Sequence, residues 1–177
     1  MHSRLFIQWI NSMKMKAKDI TLIGMMIAVI EVCKVVMAGI PNVELTSFWI
    51  IVFSVCFGKK MFYTIPAFIL IEGLMYGFGL WWVQYLIAWP VLGIVASRFG
   101  NTDSALGWAI ISGFFGLFFG VFCAVPYLFM GGIKTAIAWW IAGIPWDLVH
   151  GVANFFIMIV LYNPIANVIK KIKGNDL

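Results

Sequence analysis

The chain has 177 residues, 63% of them hydrophobic and 17% aromatic, and only 11% are charged, against roughly 25% in an ordinary soluble domain. A mean hydropathy of +1.01 excludes a disordered or collagen-like chain and makes the net charge of +5 a membrane signal, not the footprint of a nucleic-acid binder. Helices of about 20 apolar residues, the length a bilayer crossing needs, use up nearly the whole chain and leave no room for a water-soluble catalytic domain.

Residues 1–18 read as a basic cytoplasmic lead-in, because the apolar run 5–10 is too short for a signal-peptide core and no small-residue cleavage site follows it. Apolar runs separated by polar or Gly/Pro punctuation then fall at 20–38, 45–58, 61–79, 81–99, 106–130 and 136–163. They predict an all-α integral membrane protein, a compact bundle of six transmembrane helices over 19–172 with a short tail at 173–177. The second run is short for a span. The sixth carries Pro145 near its start, which allows the helix to begin there.

Positive residues near span ends are retained on the cytoplasmic side. Arg4, Lys14, Lys16, Lys18, Lys59, Lys60, Arg98, Lys170, Lys171 and Lys173 fall on one side if both termini are cytoplasmic, and only Lys134 falls in an outer connection. Both termini are therefore expected inside, with outer connections at 39–44, 77–80 and 131–135. No low-complexity tract, linker or internal repeat is evident. Cys33, Cys56 and Cys123 are far apart within apolar runs, which speaks against a disulfide or a metal centre.

An ionisable group in hydrocarbon is costly unless paired or facing water, so each one inside a span is a candidate for function. The set is Glu31 and Lys34 on the first helix, Glu72 on the third, and Asp147 and His150 on the sixth, with Gln84 and Asn154 as polar companions. Nearly all lie in the outer half. Asp147, His150 and Asn154 share one helix face, with Trp146 beside them and Trp139 and Trp140 upstream. Trp82, Tyr85 and Trp89 repeat that spacing on the fourth helix, and Glu72 and Tyr76 are neighbours on the third. Flat aromatic walls with a few donors and acceptors describe a pocket for a planar, polar ligand.

Blander accounts exist for several of these residues. Trp81 and Trp82 also suit the membrane interface, Glu31 and Lys34 can neutralise each other one turn apart, and a lone buried histidine is usually a satisfied core residue. The small stripe Ser112, Gly116, Gly120 and Ala124, widened by Gly113, points to close helix packing. Gly24 and Ala28 form a second small pair, suited to an intramolecular contact or to docking on another membrane subunit. No GxxxxGK[ST] loop, HExxH or GxSxG is present, so the chain carries no ATPase signature and no recognisable hydrolase one.

The local words Ile20-Thr21-Leu22-Ile23-Gly24-Met25-Met26-Ile27-Ala28, Ile40-Pro41-Asn42-Val43-Glu44-Leu45, Phe57-Gly58-Lys59-Lys60 and Gly143-Ile144-Pro145-Trp146-Asp147-Leu148-Val149-His150-Gly151, set in six short helices, resemble the substrate-binding S component of an energy-coupling-factor vitamin transporter. The resemblance covers about residues 16–172. It implies a non-catalytic subunit of a bacterial plasma-membrane importer that takes a scarce vitamin from outside and works with a coupling membrane subunit and two ATPase subunits, itself carrying no cofactor. It further implies docking through Gly24 and Ala28, where glycine replaces the usual first alanine of the motif. Asn42 and Glu44 would form a lid, and Trp82, Tyr85, Trp89, Tyr127, Asp147, His150 and Asn154 a pocket, beside the residue-based candidates Glu72 and Gln84.

Four carboxylates against two lysines in the outer half argue against a strongly anionic ligand such as folate. A neutral or weakly basic heteroaromatic is expected, pyridoxine or hydroxymethylpyrimidine first, with thiamine, riboflavin and a cobalamin precursor open. Two other classes stay open: an assembly protein whose polar stripe only glues helices, and a membrane enzyme using Asp147 and His150 as acid and base.

Overall fold

The computed structural model describes residues 15–176, so the expectations placed on residues 1–14, Arg4 and Lys14 among them, and on Leu177 lie outside the described residues. These residues are helical with short connections, and no strand occurs among them. The elements are α1 (Ala17–Met37), α2 (Thr46–Phe57), a 3-10 turn (Gly58–Lys60), α3 (Met61–Tyr76), α4 (Leu80–Arg98), α5 (Ala105–Leu117) and a helical stretch Phe119–Asp176. That last stretch breaks at Gly132, whose φ of 75° is open to glycine at little cost. The break divides it into α6 (119–131) and α7 (133–176). Four stretches are long and apolar enough to cross a membrane: Ala17–Met37, Thr46–Tyr76, Leu80–Arg98 and Ala105–Gly174.

Side-chain pairs fix how the helices run. Asp19 at the start of α1 meets Lys60 at the start of α3, at 2.6 Å, while Lys34 near the end of α1 meets Glu72 near the end of α3. Those two helices are thus parallel. Across α5, α6 and α7 the pairing has the opposite sense: Gly113 abuts Phe155, Gly116 abuts Gly151 and Gly120 abuts Asp147. Position rises on one side as it falls on the other, which makes an antiparallel hairpin centred beside Gly132. One end of the bundle gathers Asp19, Lys60, Cys56 with Lys173, and Asp103 with Lys170. The other gathers Lys34, Glu44, Glu72 and Asp147.

The small stripe is the seam of that hairpin. A Cβ on Gly116 would lie 2.7 Å from the Cα of Gly151, and one on Gly151 would lie 2.9 Å from the carbonyl oxygen of Gly113, so the backbones touch as small residues permit. The core centres on α2, where Ile50, Ile51 and Val52 are wholly buried, with Phe68, Trp108 and Met158 around it. Outward-facing residues are apolar too: Val36, Leu74, Phe129, Phe156 and Val160 stand 61–84% exposed. A surface of that kind is normal against lipid and anomalous against water.

Three sequence expectations are corrected. The last helix does not begin at Pro145 or stop near 163; it starts just after Gly132 and passes through Pro145 and Pro164 to residue 176, absorbing the missing amides as membrane helices do. Residues 133–135 belong to that helix and not to an outer connection. Glu31 and Lys34 do not form the local pair, because Lys34 reaches across to Glu72 on α3.

Candidate functional site

Two clefts open at the carboxylate-rich end and take up part of its polar residues. The larger, about 510 Å³, lies between α4, α6 and α7 under the connection 38–45. Its walls are Phe119, Trp139 and Trp146, and its polar groups are Asn42, Gln84 and Asp147. Its size falls in the range of small-molecule sites, and its lining has their usual character, mostly apolar with a few fixed polar groups.

Asp147 is held by a local feature of the fold. The chain bends at Phe118 (φ −103°, ψ 8°), so α6 starts afresh and its first amides have no intrahelical acceptor. One of them, the Gly120 N–H, donates to Asp147 Oδ1 at 3.0 Å. A Cβ at 120 would lie 2.3 Å from Asp147 Oδ2 and displace the carboxylate from its place on the Gly120 amide. A carboxylate at a helix start is also favoured by the helix dipole. The second oxygen, Oδ2, is buried with no partner on a residue that lines the cleft. It packs against the Gly120 backbone behind the cleft lining.

Gln84 Nε2 donates to the Cys123 carbonyl at 3.1 Å, which fixes its amide in the wall. Asn42 sits at the mouth with φ 58°, a left-handed conformation that asparagine tolerates better than most residues. Tyr127 does not line the cleft but stacks on Trp139, with centroids 4.8 Å apart.

One turn below Asp147, His150 Nε2 lies 3.1 Å from Glu44 Oε1, and Phe119 packs edge-on against the imidazole. Glu44 also accepts the Ser47 N–H at 3.0 Å and the Ser47 hydroxyl at 2.5 Å, capping α2. His150 and Glu44 therefore brace the floor behind the cleft and do not line it. Asn154, further down, is buried with Nδ2 unpartnered. Burial pushes the Glu44 carboxyl up, but the hydrogen bond and charge of His150 and the two Ser47 donors outweigh it and hold the carboxyl below its usual range. A carboxyl lowered on folding adds stability above its unfolded value and loses it as pH falls toward the folded one. Melting in detergent is therefore expected to drop as pH falls below about 4.3, and Glu44→Gln is expected to flatten that part of the profile. An unchanged profile in Glu44→Gln would remove Glu44 as its source.

The other predicted residues lie elsewhere. Trp89 is buried among Tyr85, Phe115 and Phe119. Trp82 donates to the Ile69 carbonyl at 2.7 Å and packs on Phe78, fastening the α3–α4 turn. Glu72 and Tyr85 line a second cleft with Lys34, Tyr76 and Trp81. Gly24 and Ala28 are exposed on α1, and among the described residues nothing lies within 4 Å of a Cβ built on Gly24.

Sequence reasoning did not single out Phe119, Gly120 and Cys123 as lining, or the joining of Glu44 to His150. The seven-residue interval between Trp139 and Trp146, which puts both on one helix face, was the available signal for the aromatic wall. No protein-family model matches the chain, and neither does any curated protein or solved structure.

Proposed function

We propose that the chain is the substrate-binding subunit of an energy-coupling-factor type vitamin importer, and that the cleft at Asp147 takes a neutral or weakly basic heteroaromatic compound such as pyridoxine or hydroxymethylpyrimidine. The observation that carries this reading is a cleft lined by Trp139, Trp146 and Phe119 together with Asp147, whose buried Oδ2 has no hydrogen-bond partner. Ring faces stack a flat ligand, and the carboxylate oxygen accepts from its hydroxyl, amino or protonated ring nitrogen.

In this reading the chain crosses a bacterial plasma membrane six times, turning at Gly58 and Gly132 as well as at 38–45, 77–79 and 99–104. Lys59, Lys60, Arg98, Lys170, Lys171 and Lys173 cluster at the end away from the cleft, so the positive-inside rule sets that end in the cytoplasm and opens the cleft outward. The subunit itself is non-catalytic and draws on the ATPase subunits of its partner module. The exposed Gly24–Ala28 notch is the close-approach surface for the coupling subunit.

Gly24→Leu tests the assignment. It is expected to leave ligand affinity within about twofold, because the position faces away from the cleft, while filling the notch and abolishing co-purification with the coupling and ATPase subunits. Uptake that persists at the wild-type rate in Gly24→Leu cells contradicts the docking surface. Failure of the wild type to co-purify with any ATPase subunit contradicts the transporter reading itself.

A further inference from the structure

The second cleft, about 440 Å³ between α1, α3 and α4, has a composition unlike the first. The Lys34 ammonium sits 5.0 Å from the ring centre of Tyr76, 5.3 Å from that of Tyr85 and 5.9 Å from that of Trp81, within the range in which a cation is drawn to an aromatic face. It is also paired with Glu72, whose side chain is fully buried and whose Oε1 has no partner. Glu31 stands buried behind the cleft, its carboxyl against that of Glu72. Two carboxyl groups this close hold a proton between them, so a single negative charge faces the ammonium. One carboxylate and three ring faces suit a positive charge, and Lys34 supplies it from the chain itself.

We propose that this cleft is a second ligand site, for an organic ammonium, with Lys34 as its tethered competitor. An alkylammonium satisfies both features at once, its charge answering Glu72 in place of Lys34 and its methyl or methylene groups lying on the three rings. A metal ion would leave the rings unused, and no group of three or more metal-binding side chains occurs among the described residues. Lys34 lies one turn from the end of α1 and is 27% exposed, so its stem can swing the ammonium out to water when a ligand enters. Aminophospholipid headgroups and free alkylammonium solutes carry the same group.

The test is calorimetric titration with choline of wild-type protein and Lys34→Met in phosphatidylglycerol nanodiscs. Wild type is expected to bind in the millimolar range and Lys34→Met about tenfold tighter or more, because the competitor is gone while rings and carboxylate remain. Adding Glu72→Gln to Lys34→Met is expected to reverse the gain. Asp147→Asn is expected to change nothing here, which separates this site from the vitamin cleft. Phosphatidylethanolamine in the nanodisc weakens choline binding if headgroups are the natural source and leaves it unchanged if free solutes are; either result supports the site. Should Lys34→Met fail to assemble, loss of wild-type binding in Trp81→Leu, where both charges stay, carries the same test. Lys34→Met binding choline no better than wild type, or wild type taking up none at any concentration, overturns the proposal.

Discussion

Replacing Asp147 with asparagine is expected to weaken binding of the proposed heteroaromatic ligand by roughly 10- to 100-fold while leaving the helices assembled. Asparagine can keep an oxygen on the Gly120 amide, which Asp147 now holds at 3.0 Å. It replaces the second oxygen with an NH2 group, removing both the charge and the acceptor, and a hydrogen bond to a charged group contributes about 1.5–3 kcal/mol. Alanine is the less informative change, since it strands the Gly120 amide in a buried position at a cost of about 1–3 kcal/mol and mixes a stability loss into the affinity. His150→Ala serves as the contrast. His150 braces Glu44 and does not line the cleft, so its loss is expected to lower the melting temperature more than the affinity of the protein that remains folded. Titration by intrinsic fluorescence, alongside melting in detergent, separates the two. Equal affinity in Asp147→Asn and wild type contradicts the assignment of Asp147 as the anchor.

The seam between the last helices sets the largest expected loss of stability. Gly116→Ala puts a methyl group 2.7 Å from the Cα and 2.8 Å from the amide nitrogen of Gly151. Both are backbone atoms that cannot rotate aside. The helices must separate, at a cost of about 1–3 kcal/mol or more, and the separation also moves Gly120 off Asp147 and weakens the cleft. Gly24→Ala is the matched control, because among the described residues nothing lies within 4 Å of its added Cβ and alanine is the better helix former by about 1 kcal/mol. Melting in detergent is expected to fall clearly in the first variant and to hold or rise in the second. Equal melting temperatures in the two would mean that Gly116 is not part of a tight seam.

How much of this was legible in the sequence depended on the range of the signal. The ends of the first four helices were legible to within about three residues, because glycines, prolines and polar residues mark them locally: the 77–80 turn and the 39–44 connection fall where Gly77, Gly79 and Pro41 interrupt apolar runs. The packing role of Gly113 and Gly116 was legible from their spacing, since small residues a helical turn apart have few other uses in an apolar helix. Pro145 misled, because a proline that opens a soluble helix is readily carried inside a membrane helix held by its neighbours.

Partnerships across helices were not legible. Lys34 had an acidic neighbour one turn away in Glu31, and nothing local says that it reaches Glu72, 38 positions on. Glu44 and His150 meet over a separation of 106. Likewise, the sequence grouped Glu72, Tyr85 and Asp147 as one set of outer polar residues. Their division between two clefts follows from the positions of α1 and α7 on different sides of α4, which no periodicity along a single helix encodes.

The most direct measurement is mass spectrometry of the small molecules released when protein purified gently from its native membrane is denatured. A single heteroaromatic vitamin or precursor at one per chain, absent from Asp147→Asn purified in parallel, is the predicted result. Protein that releases no such compound, and whose tryptophan fluorescence answers to no member of a vitamin panel, contradicts the account.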